Sequence, residues 1–145
     1  MAKVMDLLKI KGNQVWTVPP VTPVRAALEK MAEKNVGALV ILENDSVIGI
    51  FSERDYAIRA IEEDDFSLDT PVSKLMSSPV YGVAPNDSVE QCMTLMTQKR
   101  FRHLPVIEEG RLIGLISIGD VVKQSLSEME KTIQDLEEYI WIHMI

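Results

Sequence analysis

Cysteine occurs once in the 145 residues and histidine twice. One cysteine excludes an intramolecular disulfide framework and any cysteine-rich zinc centre. It falls in the series Val89, Cys92, Met93, Met96, the spacing of an apolar helix face, so a buried core thiol is expected rather than a nucleophile. Long apolar runs are missing too. None reaches the ~18 to 20 residues needed to cross a bilayer, and the opening MAKVMDLLKIKGN holds no signal-peptide core. No membrane partner is expected, and a cytoplasmic location is the default. Positive charge is scarce: 15 Lys and Arg face 22 Asp and Glu, for a net charge of -7. That balance argues against a binder of nucleic-acid backbone, which needs a concentrated basic face, yet it permits a local cationic pocket for one small anion. A glycine-rich P-loop, a paired-histidine metal motif and a Gly-x-Ser-x-Gly elbow are all absent. The expectation is therefore a protein that is not an enzyme, with no catalytic residues, no metal and no catalytic cofactor.

What is present is a repeat. Hydrophobic residues make up 46% and charged residues 26%, a composition that folds. An offset of 65 aligns residues 15–59 with 80–124 without a gap, and twelve positions are identical, among them Val18, Pro20, Val24, Met31, Leu39, Gly49, Ser52 and Asp55. Periodicity of this kind marks a duplicated module. Each copy opens on a short β-like segment, VWTV or VYGV, closed by Pro20 or Pro85. A helix follows, begun by Thr22-Pro23 in one copy and by Asp87-Ser88-Val89-Glu90, with capping-box spacing, in the other. Two apolar runs broken at Asn44-Asp45 or Glu109-Gly110 then read as a β-hairpin, and a second helix begins near Glu53 and near Ile118.

The fold class is therefore α+β, two β-α-β-β-α repeats plus a C-terminal helix. The division expected is 1–65 for the first repeat with its N-terminal helical segment, 66–125 for the second, and 126–145 for a C-terminal dimerisation helix. The linker carries Pro71 and Pro79 and a short helical turn around Val72 to Met76 that echoes VMDLLK near the N-terminus. A lone copy of about 60 residues would bury too little surface to stand securely, so the two halves should form one body. Beyond the second copy, Val122, Leu126, Met129, Ile133, Leu136 and Ile140 recur at three and four residues. Such a stripe packs either on its own module or on a second copy of the chain.

Both hairpins end in Gly-x-x-Ser-x-x-Asp, in GIFSERDY and GLISIGDV. Serine followed by an acid three residues on is first of all a helix cap. The same geometry offers free N–H groups and a hydroxyl for phosphate, with a carboxylate for ribose hydroxyls. On VGALVI…VIGIFSERDY and FRHLPVI…LIGLISIGDVVK, the chain resembles the cystathionine-β-synthase (CBS) domain family, and as a whole a stand-alone tandem pair, or Bateman module. The resemblance implies two repeats packed about a pseudo-twofold axis around two clefts for adenosine-containing ligands: AMP, ADP or ATP, with NAD or S-adenosylmethionine as further options. Asp55 and Asp120 would hold ribose, and Ser52 and Ser117 would lie near phosphate.

Clefts in such pairs are crossed between copies. The first would join Ser52, Arg54 and Asp55 to Val80, Tyr81, Arg102 and His103. The second would join Ser117, Gly119 and Asp120 to Lys11, Trp16, Gly37 and Ala38. Arg54, Arg102 and a protonated His103 would favour the more highly phosphorylated nucleotide in the first cleft, whereas the second has small residues there and only Lys11 nearby. The function expected is an adenine-nucleotide-binding regulatory module that forms a homodimer and acts through an unidentified effector protein. The competing classes are a ligand-free dimerisation scaffold and a nucleic-acid-binding CBS protein.

Overall fold

The computed structural model describes residues 2–144. Its elements run α1 (Val4–Lys11), β1 (Thr17–Val18), α2 (Val24–Lys34), β2 (Ala38–Glu43), β3 (Ser46–Ser52), α3 (Glu53–Glu62), a 3-10 turn (Val72–Lys74), α4 (Val89–Lys99), β4 (His103–Glu108), β5 (Arg111–Ser117) and α5 (Ile118–His143). The class is mixed α and β in two copies. In the first, β1 lies parallel to β2 and β2 antiparallel to β3; in the second, β4 pairs antiparallel with β5.

Both hairpin turns are tight. Asn44 and Asp45 sit at φ 52° and 64°, and Glu109 and Gly110 at φ 51° and 78°, the left-handed pair that matches the twist of a two-residue hairpin. In the second copy the expected strand in VYGV shrinks to a single parallel bridge between Val83 and Val106. Gly82 stands where the first copy has the β-favouring Thr17, and glycine gives up more backbone freedom when extended.

Capping departs from the sequence reading at two helices: α2 has Pro23 as its N-cap and no side-chain cap from Thr22. Ser88, not Asp87, caps α4 and closes its box with Gln91, while Asp87 turns back to accept from the Ala84 N–H at 2.8 Å. Ser117 caps a continuous 26-residue helix that runs from the second repeat through the C-terminal stripe.

Each repeat has its own core. Val18, Val24, Met31, Leu39, Ile41 and Phe51 fill the first; Val89, Cys92, Met96, Leu104, Val106, Ile116 and Val121 fill the second. Cys92 is fully buried, and burial, then the nearby Asp87 charge, raise its thiol to about 11, which suits a core residue.

The two leading segments are exchanged. Val4, Leu7 and Leu8, which precede the first repeat in the chain, complete the core of the second; Val72 and Leu75, which precede the second, complete the core of the first. The backbone repeats this crossing. Val4 N–H donates to Asp87 at 2.9 Å and Val89 N–H to Ala2 at 3.0 Å, just as Val72 N–H donates to Thr22 and Val24 N–H to Thr70, both at 2.8 Å. The glycine of the repeated motif seats these segments. A β-carbon on Gly114 would lie 2.6 Å from Leu8 Cδ2, and one on Gly49 would overlap Met76 Sδ. A side chain there would have to displace the Leu8 or Met76 side chain that the crossing segment seats on the sheet.

Along α5 only Val121 is buried; Val122, Leu126, Met129, Ile133, Leu136 and Ile140 are between 46% and 60% exposed. The stripe is therefore not consumed by packing on its own repeat. Among the described residues no helix is long and apolar enough to cross a membrane.

Candidate functional site

Each repeated motif delivers its side chains at the junction of a hairpin and a helix. Ser52 ends β3 and caps α3: its hydroxyl accepts from the Asp55 N–H at 3.3 Å, and its own N–H donates to Asp55 Oδ2 at 2.8 Å. Ser117 and Asp120 form the same box at the start of α5, at 3.2 and 2.8 Å. The capping reading thus holds in both copies. It also fixes each carboxylate at the mouth of a helix N-terminus, where exposed N–H groups favour an anion.

Around Asp55 lies a cavity of about 350 Å³, within the range of small-molecule pockets. Six of the seven residues expected for the first cleft line it: Ser52, Arg54, Asp55, Val80, Arg102 and His103. Tyr81 does not. Its ring packs on Phe101 with centroids 5.2 Å apart and carries Lys99 above it at 5.8 Å, so Phe101 takes the lining position.

Besides Phe101, six further residues line the cavity and were not foreseen, Pro79 and Met96 among them. Arg100 ends α4 in the left-handed conformation at φ 59°, a geometry that costs an arginine more than an asparagine or glycine. Its equivalent 65 residues earlier, Asn35, is also left-handed, at φ 54°. Ser77, from the crossing linker, donates to Asp55 Oδ1 at 3.3 Å. Ile50 and Ile118 supply apolar wall. A register of the repeat alone points to Arg100 and Ile118, whereas Ser77 is visible only once the segment exchange is known.

Arg54, Arg100 and Arg102 therefore line the same cavity as Asp55. Among the described residues none of the three is in an ion pair, in a chain whose net charge is -7. His103 does not add to them as expected. Burial, then Lys11, hold it below its ordinary value against the pull of Asp55 and Asp120, with Arg102 also lowering it, so the imidazole is neutral near pH 7.

The residues expected for the second cleft are arranged differently. Lys11, from the end of α1, donates to Asp120 Oδ2 at 2.6 Å and to the Leu115 carbonyl at 2.7 Å. Burial pushes the Asp120 carboxyl up, but the hydrogen bonds from Lys11 and Ser117 and the Lys11 charge outweigh it and hold the group below its usual range. Gly119 stands in the first turn of α5, with Ser117 Oγ 3.6 Å from where its β-carbon would be. Gly37 accepts from the Glu53 N–H at 3.1 Å, and Glu53 Oε1 lies 3.7 Å from its own missing β-carbon. Ala38 is buried in β2, paired with Ser52. Trp16 packs on the first core, with Lys34 over its ring at 4.4 Å, which is a core-edge role.

A tandem pair of capped hairpin-helix units with crossed leading segments defines a class, and the comparisons supply its family. The CBS domain family pattern matches residues 6–60 and 72–127, and the chain belongs to that family. It is similar to the CBS domain-containing protein YhcV of Bacillus subtilis, at 32% identity over 88% of each chain. A putative signal-transduction protein with CBS domains from Burkholderia ambifaria is 42% identical, with a TM-score of 0.80 over 87% of this chain and 95% of that one. The CBS domain protein PAE2072 of Pyrobaculum aerophilum, solved in complex with AMP, is 26% identical, with a TM-score of 0.70 over 81% of this chain and 88% of that one.

Proposed function

We propose that this protein is a regulatory module that binds an adenine nucleotide in the first cleft and passes the binding event to a partner protein without catalysing a reaction. The observation that carries the reading is the cavity itself, lined by three arginines that are in no ion pair among the described residues and by a helix N-terminus whose carboxylate is suited to ribose hydroxyls. The AMP complex of the Pyrobaculum relative supports it, since an adenine nucleotide fits a pair of this fold. Arginine is the residue best matched to phosphate oxygens, through bidentate charge-assisted hydrogen bonds.

The exposed stripe on α5 supports a homodimer formed through that helix, and binding would be reported as a change in the dimer surface or in the angle between repeats. Thermal denaturation with and without AMP and ATP tests the reading. A nucleotide at 100 times its dissociation constant should stabilise the fold by about 2.7 kcal/mol. A ligand-free scaffold would show no shift with either nucleotide.

A further inference from the structure

Along α5 the exposed residues Val122, Leu126, Met129, Ile133, Leu136 and Ile140 are spaced four, three, four, three and four positions apart. That is a strict period of 3.5, the seam of a two-helix supercoil, whereas a helix lying on its own module carries a wider apolar face at a period of 3.6. The partner that fits is a helix of the same period, and a second copy of α5 supplies one. In heptad terms Leu126, Ile133 and Ile140 take the a positions, and Val122, Met129 and Leu136 the d positions. Beside the seam, the e positions hold Lys123, Glu130 and Glu137, and the g positions hold Ser125, Thr132 and Tyr139.

The body of the molecule lies on one side of this seam. A groove of about 480 Å³ between α4 and α5 is lined by Val89, Met93, Met129 and Ile133 and by the carboxylates of Glu90 and Glu128. Ser125 and Thr132 line it too, so the groove flanks the g side of α5. This placement decides how a second α5 can lie. In a parallel pair each g residue meets the e residue five positions further on in the other helix. Ser125 and Thr132 would then bring Glu130 and Glu137 of the second copy to the groove edge, against Glu90 and Glu128, and like charges at close range repel. In an antiparallel pair g meets g and e meets e. No charged residue then enters on the groove side, where Thr132 meets its own copy and Ser125 meets Tyr139. On the far side Lys123 comes beside Glu137 of the second copy, twice by symmetry, against one contact of Glu130 with its own copy. All three of these e residues are exposed, and among the described residues none of them is in an ion pair.

We infer that the chain forms an antiparallel dimer through α5, about a twofold axis near Lys131, with the α4–α5 groove of each copy covered by the other. The inference rests on the homodimer reading above and fixes its geometry. Val122 would pack on Ile140, Leu126 on Leu136 and Met129 on Ile133 of the second copy, each layer formed twice. All six stripe residues are then covered along a seam roughly 27 Å long. Such a contact uses the same patch on both copies and closes at two.

Sedimentation and thiol cross-linking are the test. The native chain should sediment as a dimer. Cys92 is fully buried, so introduced thiols report alone. Val122→Cys mixed with Ile140→Cys should form a disulfide-linked dimer under mild oxidation, while Ile140→Cys alone should not, because its two copies would stand roughly 27 Å apart along the helices. Lys123→Glu should raise the dimer dissociation constant about tenfold, and Glu137→Lys added to it should restore the native value. If the native chain is a dimer but the mixture does not cross-link, or Ile140→Cys cross-links to itself, the antiparallel arrangement fails and the homodimer reading stands. If the native chain sediments as a monomer, the homodimer reading fails and takes this inference with it.

Discussion

At the start of α3 the Asp55 carboxylate is held by neutral donors, the Ser52 N–H and hydroxyl and the Ser77 hydroxyl. At the start of α5 the Asp120 carboxylate is held by the Ser117 N–H and by the ammonium of Lys11. Serine and aspartate make the same capping box in both places. What differs is the residue that the exchanged segment brings across: Ser77 from the linker in one case, Lys11 from α1 in the other. Duplication preserved the scaffold that places a carboxylate, and divergence acted on what faces it.

The comparison can be broken most forcefully by giving the first cleft the residues of its twin. Arg54→Gly, Arg100→Asn and Arg102→Gly together should lower AMP affinity about 100-fold or more in calorimetry, since each charge-assisted hydrogen bond is worth about 1.5 to 3 kcal/mol. Arg100→Asn keeps a residue that tolerates the left-handed position, so its share of the loss reports charge rather than backbone strain. Ser52→Ala and Ser117→Ala should each cost about 1 kcal/mol in urea denaturation. Near-equal losses would show that the caps are equivalent and that the asymmetry lies elsewhere.

Salt tests the charge of the first cleft. Raising ionic strength from about 0.05 to about 0.5 M shortens the screening length severalfold, and calorimetric titration should show AMP affinity at the first cleft falling several-fold. The smallest effect expected is on acid stability. Asp120 is held below its ordinary value in the folded state, so its contribution is present above the unfolded carboxylate range and is lost as pH falls through the lowered folded value. Lys11→Met should remove about 0.5 to 1 kcal/mol at neutral pH and progressively less as pH falls through the lowered folded value. Urea midpoints across that pH range check it.

Most of the fold could be read from the repeat register. Hairpins, caps and helices follow from apolar periodicity and turn residues, and so does the position of Asp55 and Asp120. The parts that could not be read are those that depend on contacts between distant segments. Tyr81 is aromatic and at the expected position, but Phe101 was free to take the cavity wall while Tyr81 packed behind it. His103 looked like an added cation because its neighbours in sequence are basic, yet burial decides its charge, and burial is a property of the folded chain. Lys11 was expected only to lie near Asp120, and its direct bond to that carboxylate is legible in the structure alone.

The crossing of the leading segments also governs the order in which this chain can fold. The second core needs Val4, Leu7 and Leu8, yet the residues they join, from Val83 to Val121, are synthesised some 75 positions or more later. Ala2 N–H donates to Glu128 Oε1 at 3.1 Å, a separation of 126 positions. Val4, Leu7 and Leu8 therefore stay without these partners until the second repeat has been made. Contacts so far apart in sequence slow folding and leave apolar surface open in the interval. Once closed, the same crossing makes the halves interdependent, because neither core is complete without a piece of chain that belongs by sequence to the other.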